Sequence, residues 1–322
     1  MKWLAGILFG ATLALGTAQA ATKVDPPPAK APAVIDLVEA EFQRLMAQDD
    51  AAHEEIDKWM KENGAFAKQG AGLSEAVLSL KIEQRLQPVK QAYEEFLQRH
   101  PKHARAHLAF GSFLNDQGEE TDARKEWETA RTLDPKNPAA YNNLANSYGQ
   151  TGPVERAFEL YKQAIELNPK QAIYYHNLGA VFVLHRKAAA EHYKITEQQV
   201  LRNALELYRL AEQFDPANFQ LATDIGQIYY GFQPPEHAAA TTAWTRALAL
   251  ARDDLEREAT HLHLARVQAA AGKQAEARKH LNSVTNATLT AVKNRITDDL
   301  DKQSPTVPFA EEPRRTLPSA PK

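Results

Sequence analysis

The 322 residues contain no cysteine, few methionines (three) and few glycines (14), and no long hydrophobic run after the first twenty positions. Each shortage excludes something. Without cysteine there are no disulfides, no thiolate metal site and no cysteine nucleophile, so the fold must be held by packing alone. The sparse glycines form neither a Gly-x-Ser-x-Gly elbow nor a phosphate-cradling loop, and no His-Glu-x-x-His helix motif is present. Excess charge of one sign is also missing: 38 Lys and Arg stand against 41 Asp and Glu, for a net charge of −3. A nucleic-acid binder normally carries a basic surplus, so that partner class is set aside.

The apolar residues that do cluster lie at the start. Lys2, an apolar run from Trp3 to about Gly16 and the small residues of Ala18-Gln19-Ala20 have the layout of a secretory leader, residues 1–20, with cleavage after Ala20. The run falls short of the roughly 20 residues a bilayer span requires. The expectation is an exported protein of a bacterial periplasm, with no membrane span once the leader is removed and a net charge of −4 once Lys2 is gone. Pro26, Pro27, Pro28 and Pro32 mark residues 21–33 as an extended linker, and five prolines mark 303–322 as a disordered tail.

Between these ends the chain repeats. Pro101, Pro135 and Pro169 are each 34 residues apart, and the residues between them correspond in kind. Phe110-Gly111 matches Leu144-Ala145, Leu114 matches Tyr148, Gly118 matches Gly152, Ala123 matches Ala157, Trp127 matches Tyr161 and Ala130 matches Ala164. Small residues such as Gly111, Gly179 and Ala123 allow close helix approach, and large ones such as Trp127 and Tyr161 fill the space between hairpins. Gly118 and Gly152 suit a helix terminus that needs positive φ. Asn137-Pro138 reads as an N-cap and first helical residue.

This column pattern resembles the tetratricopeptide (TPR) repeat. The resemblance implies an all-α, right-handed superhelical solenoid of antiparallel helix pairs over 70–285. Strong copies are expected at 104–137, 138–171, 172–218 and 219–252, and weak ones at 70–103 and 253–285. The third copy carries 13 extra residues, 187–199, with no Gly or Pro. These are expected to lengthen both helices of that hairpin and make it protrude. Residues 286–302, with Leu289, Val292, Ile296 and Leu300 on one face, read as a capping helix. For 70–103, the pair Gln87-Pro88 leaves a single kinked helix open as the alternative to a hairpin.

Residues 34–69 form an N-terminal helical extension. Val38, Phe42, Leu45, Ala52, Ile56 and Trp59 follow a short heptad spacing, interrupted at Asp49. Two readings stay open: a coiled coil that makes a homo-oligomer, or an antiparallel pair that covers the end of the stack.

Eleven histidines raise the question of a metal or catalytic site. His261 and His263 point to different helix faces, and His185 and His192 are seven apart without a carboxylate partner at i+4 spacing. His100, His103 and His107 straddle a turn. No catalytic, cofactor or metal residues are assigned. Asn286-Ala287-Thr288 matches a glycosylation acceptor and nothing more.

The resemblance also implies that the first helix of each pair lines a concave groove for a protein or peptide partner. Carried over by column, the groove positions are Arg105, Leu108, Ser112 and Asn115, then Asn142, Asn146 and Gly149, then His176, Ala180 and Val183. Thr223, Gln227, Tyr230 and Arg266 complete the set. Amides and hydroxyls there can bond an extended peptide backbone. The competing reading is that Asn143 and Asn146 merely satisfy neighbouring helix ends. The lysines with which cytosolic relatives clamp a carboxylate are missing. The expected function is a non-catalytic protein-interaction scaffold of the cell envelope. The alternative is an oligomeric periplasmic structural adaptor assembled through the N-terminal helix.

Overall fold

The chain's turns are written in short local signals, and the structure uses them. At two boundaries an asparagine side-chain oxygen accepts from the first turn of the next helix: Asn137 from Ala139 N at 3.0 Å with Pro138 at N1, and Asn218 from Leu221 N at 3.0 Å. Such caps satisfy amide groups that a helix leaves without partners. In the computed structural model, which describes residues 36–68 and 70–303, the described residues form fourteen α-helices and no strand. The expected leader and linker lie outside the described residues, as does the expected tail except Gln303, which ends the last helix.

The chain divides into two units, Met1–Arg44 and Leu45–Lys322. Of the first, residues 36–44 are described. They open helix α1 (Leu37–Ala67), whose start is capped by Asp36 accepting from Val38 N and Glu39 N.

The second unit begins with the rest of α1 and continues through α2 (Glu75–Arg99). The two run antiparallel. Asp49 accepts from the Tyr93 hydroxyl at 2.6 Å, Glu55 from Arg85 at 2.6 Å, Lys81 lies over the Trp59 ring, and Asn63 holds Leu73 at the far turn. Leu45, Ala52 and Ile56 of the heptad spacing are buried within the unit. The antiparallel-pair reading therefore describes this region, and that seam is not free for a parallel coiled coil. Residues 70–103 likewise differ from a repeat copy: α2 continues through Pro88 as one 25-residue helix, the single-helix alternative. Proline survives there because both it and Gln84, whose carbonyl loses its partner, are exposed to water.

Five helix pairs follow: α3 (Ala104–Asp116) with α4 (Glu120–Leu133), α5 (Pro138–Thr151) with α6 (Val154–Leu167), and α7 (Ala172–Leu184) with α9 (Glu197–Phe214). The fourth is α10 (Phe219–Ile228) with α11 (His237–Leu250), and the fifth α12 (Asp254–Ala270) with α13 (Gln274–Asn282). Within the first, third and fourth pairs a glycine meets a large ring. A Cβ on Gly111 would lie 2.5 Å from the Trp127 indole, and Gly179 and Gly226 stand in the same relation to Tyr208 and Trp244. Gly118 sits at φ 77°, as its turn requires, but Gly152 is extended; its constraint is the Tyr148 ring, 2.5 Å from where a Cβ would be.

The 13-residue insertion does not lengthen both helices. α7 keeps 13 residues and ends at His185, and the extra chain forms a separate helix, α8 (Arg186–Tyr193). The break is made by tertiary contacts. His185 Nε2 pairs with the Gly149 carbonyl at 2.8 Å, and Tyr193 returns to the Phe158 and Phe182 rings. Ala189 is fully buried, so α8 packs onto the stack. Thr196 caps α9 by accepting from Gln199 N.

α14 (Thr290–Gln303) closes the stack. Ile296 and Leu300 join Leu262, Ala265, Ala277, Leu281 and Val284 in one buried cluster, which shields from water the apolar side that a terminal repeat leaves open.

Candidate functional site

The first helices of successive pairs are laced together by polar side chains. Asn143 on α5 donates to the Ser112 hydroxyl of α3 at 3.2 Å, and Asn177 on α7 donates to Asn142 Oδ1 at 3.0 Å and Asn146 Oδ1 at 3.4 Å. Asn146 also accepts from the Tyr161 hydroxyl, whose own ionisation burial pushes well up. Farther on, His176 on α7 meets Asp224 on α10 at 2.6 Å, and the Tyr230 hydroxyl lies 3.0 Å from His263 Nδ1 on α12. A half-buried polar row thus crosses α3, α5, α7 and α10, and the exposed Tyr230 just after α10 carries it to α12. Asn143 and Asn146 find their partners in side chains of adjacent helices, so they do not serve neighbouring helix ends.

The row ends at a cleft. Phe219, Thr223 and Gln227 of α10 face Leu255, Ala259 and His263 of α12 across about 250 Å³, with Trp244 of α11 among the lining residues. His263 stacks on Trp244 with ring centroids 4.0 Å apart and planes within 5°. Burial, and then the Arg266 charge, holds the His263 pKa down at about 4, so the ring is neutral at ordinary pH. Arg266 itself is exposed and lies over the Tyr230 ring. One rim is charged: Glu256 is gripped by Arg252, whose hydrogen bonds lower its pKa.

The predicted positions fall along this path unevenly. Ser112, Asn142, Asn146 and His176 belong to the polar row. Gln227 and Thr223 line the cleft, with the Thr223 hydroxyl given to the Gln220 carbonyl at 2.7 Å. Tyr230 and Arg266 pair beside it. Arg105 is exposed in the first turn of α3, and Asn115 is half-buried near the end of that helix. Gly149 is buried, with Val181 against it. Asn177, Asp224, Phe219 and Leu255 were not singled out from the sequence, and His263 was considered only as a metal ligand. Asn177 could have been, because it stands 34 residues after Asn143, as His176 does after Asn142.

The histidines disperse. His261 pairs with His280 at 3.0 Å, and burial lowers the pKa of both; His107 is held by Glu126 and the Pro101 carbonyl, which outweigh burial and raise its pKa. Among the described residues no three His, Asp or Glu side chains converge as metal ligands would.

Residues 111–152 and 150–185 match the family model of the TPR repeat. The fold agrees: this is an all-α solenoid of antiparallel helix pairs of the TPR kind. Among solved structures, it is similar to YrrB, described as a TPR protein with an unusual peptide-binding site, at 13% identity over 65% of this chain and 99% of that one, with a TM-score of 0.51. It is similar also to PilF of Pseudomonas aeruginosa, at 14% identity over 79% of this chain and 100% of that one, with a TM-score of 0.52. At these identities the likeness is one of fold. No curated protein matches the sequence. Among the described residues no helix is long and apolar enough to cross a membrane.

Proposed function

We propose that this protein binds an extended peptide or protein segment, without catalysis, along the first helices of its repeats. The observation that carries the reading is the polar row from Ser112 through Asn142, Asn146 and His176 to the α10–α12 cleft. Amides and hydroxyls already held by their neighbours present donors and acceptors at fixed positions, which lowers the ordering cost of capturing a peptide backbone. The cleft beside Phe219 and Leu255 offers an apolar socket for one side chain of that segment. A peptide-binding TPR protein among the structural neighbours is consistent with this use of the fold. The leader-like residues 1–20 support export and a role in the cell envelope.

The test uses side chains that lie at the surface. Asn146→Ala is a poor probe, because it would strand the buried Tyr161 hydroxyl. Gln227 and Arg266 are both exposed. The double variant Gln227→Ala with Arg266→Ala is expected to keep the melting temperature and lose the peptides that the parent selects from a displayed random library. Recovery of the same peptides by both would contradict the reading.

A further inference from the structure

The helical hairpin of α1 and α2 has a buried half and an unburied half. Ile56 and Leu86 are the last buried residues of its core; from 57 to 85 no residue described in side-chain detail is buried. Yet this stretch is not polar. Met60, Phe66, Leu73, Val77 and Leu80 each leave 49–54% of their surface exposed. Nor is it loose: Asn63 grips Leu73 twice, accepting from its N–H at 2.6 Å and donating to its carbonyl at 3.3 Å. A Cβ on Gly72 would meet Ala67 at 2.9 Å, so the turn is tightly seated. The apolar tip is therefore built and held.

We infer that this arm is a self-association surface, on which the tip of a second copy of the chain packs to form an antiparallel four-helix bundle. The inference stands apart from the groove reading, since the arm and the α3–α12 row are different surfaces. Two helices alone cannot enclose a core; two such hairpins can, with apolar positions of all four helices facing inward. The charge pattern favours a copy of itself over a partner of one sign. Between Glu54 and Arg85 six carboxylates and five cations are interspersed, so the patch is nearly neutral and can complement its own twofold image. The area is of the right order as well. Five large side chains at half exposure offer on the order of 400–500 Å² per arm. Half-buried Trp59, Leu78 and Ile82 extend this toward the roughly 800 Å² per partner of a standard interface. The seam that the heptad spacing marks is used inside the chain, and the association surface lies beyond it, at the tip.

The experiment is sedimentation equilibrium of the whole protein from about 1 to about 100 µM, a range that resolves an association of micromolar strength. The expected result is a mass rising from one chain to two, and a Leu80→Glu variant that stays at one chain with an unchanged melting temperature. Because the protein lacks cysteine, Val77→Cys gives a second readout: oxidation is expected to link pairs of chains, while Glu155→Cys on the repeats does not. A single-chain mass throughout for the parent would overturn the inference, as would a Leu80→Glu protein that still dimerises. Flotation of a monomeric parent with anionic phospholipid vesicles would overturn it in favour of a membrane surface. Should Leu80→Glu unfold, the two cysteine variants decide: equal linking of both, or of neither, defeats the proposal.

Discussion

At the residue scale the fold rests on ring-into-gap pairs repeated through the stack. Trp127 is 3% exposed, packs closely on Gly111 and donates from Nε1 to the Leu108 carbonyl at 3.2 Å. Trp127→Ala removes the ring and leaves a cavity, and should cost about 3–5 kcal/mol in denaturant unfolding. Gly179→Leu, driven into the Tyr208 ring, should cost roughly 1–3 kcal/mol by overpacking. Melting curves unchanged in either variant would refute the column pairing. His263 gives a titration with a definite sign. Its proton is bound near pH 4 in the fold and near 6.5 in the unfolded chain, so between these values the unfolded state holds more protons. The contribution is complete above pH 6.5 and is lost as pH falls toward 4. His263→Phe keeps a ring on Trp244 and removes the titration. It should flatten the stability-against-pH curve in that window by at most about 1.4 kcal/mol per pH unit. Equal slopes for parent and variant would contradict the neutral, stacked assignment.

At the element scale, what was legible in the sequence depended on whether the deciding contact was local. Caps were legible, because Asn137 and Thr196 act on amides two or three residues away. The closing helix was legible from its apolar stripe. Leu300, fully buried against the last pair, should cost about 2–5 kcal/mol as Leu300→Ala, read by thermal unfolding. The inserted chain was not legible. Residues 187–199 are helix-compatible throughout, and the break at His185 is set by the Gly149 carbonyl 36 positions earlier and by Tyr193 folding onto Phe158. The heptad spacing of α1 showed that a seam exists, but a spacing does not say whether the partner is the same chain. The polar row was half legible. The 34-residue period places Ser112 with Asn146 and Asn143 with Asn177 in equivalent columns, while their bonding to one another needed the helices in space. The cleft was the least legible, because Phe219, Leu255 and His263 come together only when α10 and α12 lie side by side.

At the scale of the whole molecule, the described helix pairs from α3 onward pack each against the next. Each covers the apolar flank of the next, from α3 and α4 through to α14, which shields the last. Stability should then be a sum of weak intrinsic terms and strong neighbour terms. This coupling also keeps the groove rigid, because residues such as Asn142 and Asn177 are positioned by different repeats. The most direct test is thermal unfolding, followed by far-ultraviolet circular dichroism, of the excised pair 138–171 beside the intact chain. A lone pair that shows little helix and no cooperative transition is the predicted result. If the excised pair were to melt as sharply and at the same temperature as the whole protein, neighbouring repeats would not be what holds this fold together.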